Sequence, residues 1–252
     1  MTNDRKKRAE RAEQMRKERE KADKRQRNLI SIAIVAVVVV LVGVGGYAIK
    51  TTSDRNAANT ELITPANTTD DYGIVYDAEA AGAEIPADAE PVEVELYEDF
   101  QCPACRSFEE QNGAFLRAAV EAGEITITYK PFSFLDRASL NEYSSRSTNA
   151  ALCALDEGGV ADYATVHDYL YANQPDEGTA GPENADLVEA LDGLGVTGVE
   201  ECIRTERFVP WVEDAADAGR AAGVTGTPTI FVAGERLEEG VSLQQAIQDA
   251  AA

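Results

Sequence analysis

Histidine and methionine are almost missing from these 252 residues, which hold one histidine, His167, and two methionines, Met1 and Met15. A soft-metal carrier built on imidazole and thioether ligands therefore has little to work with. Cysteine is absent from the first hundred positions and then occurs four times, as the close pair Cys102 and Cys105 and the distant pair Cys153 and Cys202. An even number of cysteines permits disulfides if the compartment is oxidising. Positive charge is scarce after the N-terminus: residues 50–252 carry 11 Lys/Arg against 39 Asp/Glu, a local charge of −28. Such a surface repels phosphate backbones, which excludes nucleic acid as a partner of this part. No segment repeats.

The basic residues gather instead in residues 1–28, twelve Lys/Arg against six Asp/Glu. This stretch reads as a solvated tail with helical i,i+4 pairs and no apolar stripe. Leu29–Ile49 follows as an uncharged run of 21 residues rich in Val, Ile, Leu and Ala. As a helix it would be about 32 Å long, enough to cross a bilayer. The expectation is a single transmembrane helix over 29–49, with the basic tail cytoplasmic and all that follows extracytoplasmic. A cleaved signal peptide is the alternative, since Gly46-Tyr47-Ala48 has a small-x-small pattern; the long basic region and the length of the apolar run argue for a retained anchor. Residues 50–71, rich in Thr, Asn, Ala and Asp, read as a flexible linker spanning roughly 25 Å.

Beyond the linker the periodicities describe one α/β domain, residues 72–252. Val92, Val94 and Leu96 alternate with Glu93 and Glu95, the pattern of a half-buried strand. Cys102 then opens a helix, with Pro103 in a first turn where a missing N–H costs nothing. Glu124–Phe132 reads as a second strand with Ile125, Ile127 and Tyr129 on one face. Strand, helix, strand implies a parallel βαβ unit. A helical insertion over about 136–222 comes next, with apolar faces at Leu187, Val188, Leu191 and Leu194 and at Phe208, Trp211, Val212 and Ala215. A short strand at Ile230–Val232 and a last helix, opened by a capping-box pattern at Ser242 and Gln245, complete the domain.

Disulfide exchange needs a nucleophilic thiolate and a second thiol within bonding distance. Residues three apart at a helix start lie about 5.5 Å apart at Cα, within disulfide range. Cys102 would sit among unpaired N–H groups at the positive end of the helix dipole, which favours a thiolate, and Cys105 one turn deeper would resolve the mixed disulfide. No cofactor is needed. Read alone, a CxxC pair is also half of a zinc site or an inert disulfide. Zinc would require two more ligands, and His167, on one helical face with Tyr163 and Leu170, reads rather as a packed or surface histidine. Gly226-Thr227-Pro228-Thr229 places a proline at the first residue of a strand, where a cis peptide bond or an ordinary turn are both open readings.

Tyr97–Glu110 (YEDFQCPACRSFEE) and Gly226–Leu237 (GTPTIFVAGERL), in this order, resemble the DsbA-like thioredoxin family, in particular its membrane-anchored actinobacterial and Gram-positive forms. The resemblance implies a thioredoxin fold with a helical insertion, and protein thiol–disulfide oxidoreductase activity. It assigns Cys102 as nucleophile and Cys105 as buried partner. It also implies a cis bond at Thr227-Pro228, with the Thr227 backbone pairing with an extended substrate. The implied partners are reduced or unfolded secreted proteins and a membrane quinone-linked oxidase of DsbB or VKOR-like kind. Two positions depart from the family pattern. The acid that relatives often carry six residues before the first cysteine is Leu96 here, with Glu95, Glu98 and Asp99 nearby. The dipeptide between the cysteines is Pro-Ala rather than Pro-His, which removes a thiolate-stabilising group and leaves a reductase or isomerase as the alternative direction of flow. A metal-binding module using Cys102 and Cys105 as soft ligands is the third reading. Cys153 and Cys202 resemble the extra structural bridge of some actinobacterial relatives, with a second redox centre or buried free thiols as alternatives.

Overall fold

The computed structural model describes residues 62–84, 89–238 and 240–252. The expected basic tail, the expected transmembrane helix over 29–49 and the linker as far as residue 61 lie outside the described residues. Among the described residues no helix is long and apolar enough to cross a membrane.

The chain carrying the cysteine motif is built from β-branched and aromatic residues whose alternation makes one face apolar. Strand β1 (Ile74–Tyr76) precedes strand β2 (Val92–Glu98), in which Val92, Val94 and Leu96 are buried and Glu93 is exposed. Helix α1 (Pro103–Glu121) follows, turning Cys105, Leu116, Ala119 and Val120 inward, while Phe108 and Phe115 are only partly covered. Gly123 reverses the chain at φ +71°, a backbone conformation glycine adopts without a Cβ clash, and strand β3 (Ile125–Pro131) begins two residues later. β2 and β3 pair in parallel, the geometry that the βαβ reading requires.

The insertion is built of five helices. These are α2 (Tyr143–Gly158), α3 (Val160–Ala172), α4 (Asn184–Gly193), α5 (Glu200–Arg204) and α6 (Val209–Ala221). Helix α2 is buried from Tyr143 through Leu155, polar residues included. Two of its hydroxyls are satisfied on the preceding turn: Ser147 donates to the Tyr143 carbonyl at 2.6 Å and Thr148 to the Ser144 carbonyl at 2.8 Å. Strands β4 (Thr229–Val232) and β5 (Glu235–Arg236) and helix α7 (Leu243–Ala250) close the domain. At α7 only half of the expected capping box forms. Ser242 accepts the Gln245 N–H, while the Gln245 side chain turns to Asp249 at 2.8 Å.

The sheet runs β1-β3-β2-β4-β5, with β2 central and every pair except β2–β3 antiparallel. Leu96, Ile125 and Ile127 from the sheet and Leu116 and Val120 from α1 are essentially inaccessible. Each such side chain contributes on the order of 2 kcal/mol by leaving water. Within the stretch read as linker, residues 62–71 make contacts with the domain. Pro65 is buried, Ala66 donates its N–H to Asp156 at 2.8 Å, and the Lys130 ammonium holds the Asp71 carboxylate at 2.5 Å.

Candidate functional site

The site forms where β2 ends. Its last carbonyls lead into a turn in which the Cys102 N–H donates to the Asp99 carbonyl at 3.0 Å. The Asp99 carboxylate organises that turn, accepting the Gln101 N–H and the Leu135 N–H, each at 2.8 Å. Burial pushes Asp99 up to about 6 in spite of those hydrogen bonds. Two glutamines, one in the turn and one in the insertion, fasten the two together. The Gln174 amide donates to the Cys102 carbonyl at 3.0 Å, and the Gln101 amide donates to the Thr179 carbonyl at 3.0 Å.

Cys102 is the residue that caps α1, in an extended conformation, with Pro103 next. Its Sγ faces the free N–H groups of the first turn. The Cys105 thiol donates to it, burial opposes, and Thr227 and the N–H groups of Cys105 and Ala104 assist; together they lower Cys102 from 9.0 to about 6. Thr227 reaches the sulfur from the other side of the site, its carbonyl oxygen 3.4 Å from Sγ and its buried hydroxyl without another partner. The Thr227-Pro228 peptide bond is cis. The four residues read as active in the sequence, Cys102, Cys105, Thr227 and Pro228, therefore meet in one place.

Cys105 is fully buried, and burial, followed by the neighbouring Cys102 and Glu98, drives its thiol far upward. One sulfur is poised as a thiolate and the other is held as a thiol. Both cysteines are free, whereas Cys153 of α2 and Cys202 of α5 are bonded to each other with Cα atoms 5.9 Å apart. An open groove of about 740 Å³ runs beside the motif, walled by Phe108, Pro228, Ile230, Leu237, Val241 and Leu243.

Among the described residues no third His, Cys, Asp or Glu joins the two cysteines at metal-ligand spacing. The group of His, Cys, Asp and Glu side chains that comes together at metal-ligand spacing among the described residues is Glu98, Glu109 and His167, and it contains neither cysteine. His167 is buried and pairs with Glu98 at 3.1 Å, so it is packed as expected but not apolar in its partners. The sequence reading overlooked Glu109. Its position four residues after Cys105, on the same face of one helix, was the available signal. Leu96, at the position where relatives often place an acid, is wholly inside the core.

Residues 86–249 match the family model described as thioredoxin. Among solved structures, the chain is similar to the reduced disulfide bond oxidoreductase DsbG of Mycobacterium tuberculosis, at 31% identity and a TM-score of 0.60 over 71% of this chain and 87% of that one. It is similar to oxidised DsbA of the same organism at 32% identity and a TM-score of 0.58, over 71% and 92% of the two chains. It shares its fold with MdbA, a thiol–disulfide oxidoreductase from Corynebacterium diphtheriae, at 21% identity and a TM-score of 0.59 over 77% and 98%. A curated relative, the Na(+)/H(+) antiporter NhaA 3 of Salinispora tropica, is 29% identical over 149 residues, 58% of this chain. That match spans 21% of the antiporter's length.

Proposed function

Because the chain belongs to the thioredoxin family and is a thiol–disulfide oxidoreductase of DsbA type, we propose that it introduces disulfides into secreted and envelope proteins outside the cytoplasm. The observation that carries this reading is the asymmetry of the two sulfurs, Cys102 held as a thiolate and Cys105 as a thiol. A stabilised thiolate is a good leaving group, so a disulfide made with it is easily reduced and oxidises its client.

Exchange starts from the Cys102–Cys105 disulfide. A client thiolate attacks Cys102 Sγ, the intramolecular S–S bond breaks, and its electron pair leaves on Cys105, which takes a proton. A second client thiolate then attacks the client sulfur of the mixed disulfide and Cys102 departs as a thiolate. The client has lost two electrons and the CxxC pair has gained them. An extended client segment fits the groove beside Pro228, with the Thr227 backbone available for strand-like pairing. Reoxidation falls to a membrane quinone-linked oxidase of DsbB or VKOR-like kind, which suits a domain tethered by residues 29–49.

The purified full chain, oxidised, should introduce disulfides into a reduced unfolded protein, and Cys102→Ser should abolish the activity. The reduction potential decides the direction of flow. A value near that of thioredoxin, about −270 mV, would replace the oxidase by a reductase, whereas a value approaching about −120 mV fits an oxidant. Labelling of Cys102 on intact cells by a membrane-impermeant thiol reagent tests the location; no labelling before lysis would overturn it.

A further inference from the structure

The interior beside Cys105 holds ionisable groups that the exchange chemistry above leaves unused. Glu98 closes β2, Glu109 lies one turn beyond Cys105 on α1, and His167 comes across from α3. One polar atom of each lies within 4.8 Å of the others. His167 Nε2 is 3.1 Å from Glu98 Oε2, and its Nδ1 faces Asp168 at 3.7 Å. Asp168 is held in turn by Arg117 at 2.7 Å. Phe100, Tyr129, Tyr163 and Tyr171 wall the imidazole with ring centroids 4.5 to 6.0 Å away. Burial lowers the proton affinity of His167, but hydrogen bonds to Asp168 and Glu98 and the charge of Glu109 outweigh it and hold the ring up at about 10. The carboxylates around it favour the imidazolium form.

The remaining groups facing this centre are accounted for. Burial raises the hydroxyls of Tyr129, Tyr163 and Tyr171, so they stay protonated. Lys130 of β3 is committed to Asp71, and Asp99 to the backbone of the motif turn. Two oxygens are left over: Glu98 Oε1 and Glu109 Oε1 are both buried without a hydrogen-bond donor. Two bare, ionised carboxylates in the interior repel each other, whereas one proton between them turns the contact into a hydrogen bond and satisfies both. Burial, followed by the charge of Glu98, raises Glu109 in the same direction.

We propose that Glu98 and Glu109 share one proton, and that this proton is the one Cys105 receives when the disulfide opens. The inference rests on the exchange reading above and supplies its missing proton donor, in place of the acid that relatives carry where this chain has Leu96. When the S–S bond breaks, the electron pair on Cys105 Sγ takes the proton from the carboxyl pair, leaving the pair ionised against the His167 cation. The pair refills from solvent on the Glu109 side, where a cleft of about 190 Å³ lined by Arg106, Glu110, Arg117 and Asp168 opens. Reoxidation runs the same transfer backwards. His167 is a positioning residue in this scheme, and Glu98 and Glu109 are catalytic.

The test uses the oxidised full chain at pH 7.5, compared by infrared spectroscopy with Glu98→Gln and Glu109→Gln. One buried protonated-carboxyl C=O band is expected in the wild type, and each substitution alone should remove it. A band lost in only one variant places the proton on a single glutamate and overturns the sharing, as does a wild type without the band. Reduction of the pair by dithiothreitol should slow about tenfold or more in both variants, and its profile from pH 6 to 9 should lose an inflection. Unchanged rates and profile overturn the role. Stoichiometric metal in protein purified without chelator, lost in Glu109→Gln, would make the cluster a cation site and overturn the proposal. Normal exchange in a wild type that lacks the band removes this inference alone, whereas a wild type that fails to exchange thiols removes the oxidoreductase reading with it.

Discussion

The sulfur of Cys102 lies 3.4 Å from the carbonyl oxygen of Thr227, a residue 125 positions further along the chain. The contact is made by the sheet. β4 pairs antiparallel with β2, bringing Thr229 opposite Tyr97 and Ile230 opposite Leu96. The loop before β4 therefore returns to the turn that follows β2, and the proline loop and the helix start become two walls of one site. The groove that Phe108, Pro228 and Ile230 line begins one residue beyond Thr227.

Cys102 should titrate at about 6 in the reduced protein, far below the ordinary thiol value of 9.0. The first cause of the lowering is the hydrogen bond from the Cys105 thiol, so Cys105→Ala should raise the Cys102 pKa while Cys105→Ser, which keeps a donor, should raise it less. Rates of alkylation by iodoacetamide between pH 4 and 9 measure both. A Cys105→Ala protein whose Cys102 still titrates at about 6 would assign the effect to the helix N-terminus instead.

The same shift couples redox state to stability. In the reduced protein a thiol with a folded value of about 6 and an ordinary value of 9.0 binds its proton less tightly when folded. The stabilisation is fully present above pH 9, shrinks as pH falls, and is gone once pH drops through about 6. The oxidised protein has no Cys102 thiol and lacks this increment. Urea midpoints should therefore show the reduced form gaining on the oxidised form between pH 5.5 and pH 8. A pH-independent gap would contradict the thiolate assignment.

The Cys153–Cys202 bridge joins α2 to α5 across a sequence separation of 49. Closing such a loop restricts the unfolded chain by about 4 kcal/mol in the chain-entropy model, with less often realised. Replacing both cysteines by alanine should lower the urea midpoint by an equivalent of about 2 to 4 kcal/mol and leave the rate of thiol exchange at Cys102 within about twofold of the wild type. Loss of exchange without loss of folding would give the bridge a redox role that its position does not suggest.

Much of this site was legible from local pattern. The alternation from Val92 to Leu96, the Ile125, Ile127 and Tyr129 face and the Pro103 start fix β2, β3 and α1, and two cysteines three residues apart at a helix start have few other geometries. The buried charges were only partly legible. Glu98 and Glu109 carry the same letter as the many exposed glutamates of an acidic chain, and His167 meets Glu98 only because α3 packs over the end of β2, across 69 positions. Strand β1 escaped for another reason: three residues, Ile74–Tyr76, are too few for a period, and only pairing with β3 extends them. The five-helix division of the insertion depends on turns such as Gly159, at φ +81°, that lie among residues of good helix propensity.

Asp99 sets the last expectation, because two effects of changing it oppose each other. Its carboxyl is raised to about 6 by burial, so ionisation costs the folded protein stability as pH rises from 3.8 through 6. Asp99→Asn removes that cost. It also puts an NH₂ group where one carboxylate oxygen had accepted the N–H of Gln101 or Leu135, leaving a buried donor against a donor. A stranded buried donor costs about 1–3 kcal/mol, more when the lost acceptor was charged. At pH 8 the two effects nearly cancel, since a rise from 3.8 to about 6 corresponds to about 3 kcal/mol, and the variant should lie within about 1 kcal/mol of the wild type there, with slower exchange because the turn carrying Cys102 is no longer held. The gap should widen in the wild type's favour toward pH 5, where the wild-type carboxyl is protonated and the ionisation cost has fallen, while the amide does not titrate. Chemical denaturation of both proteins at the two pH values measures it. An Asp99→Asn protein whose stability relative to the wild type is the same at pH 8 and pH 5 would contradict the raised carboxyl.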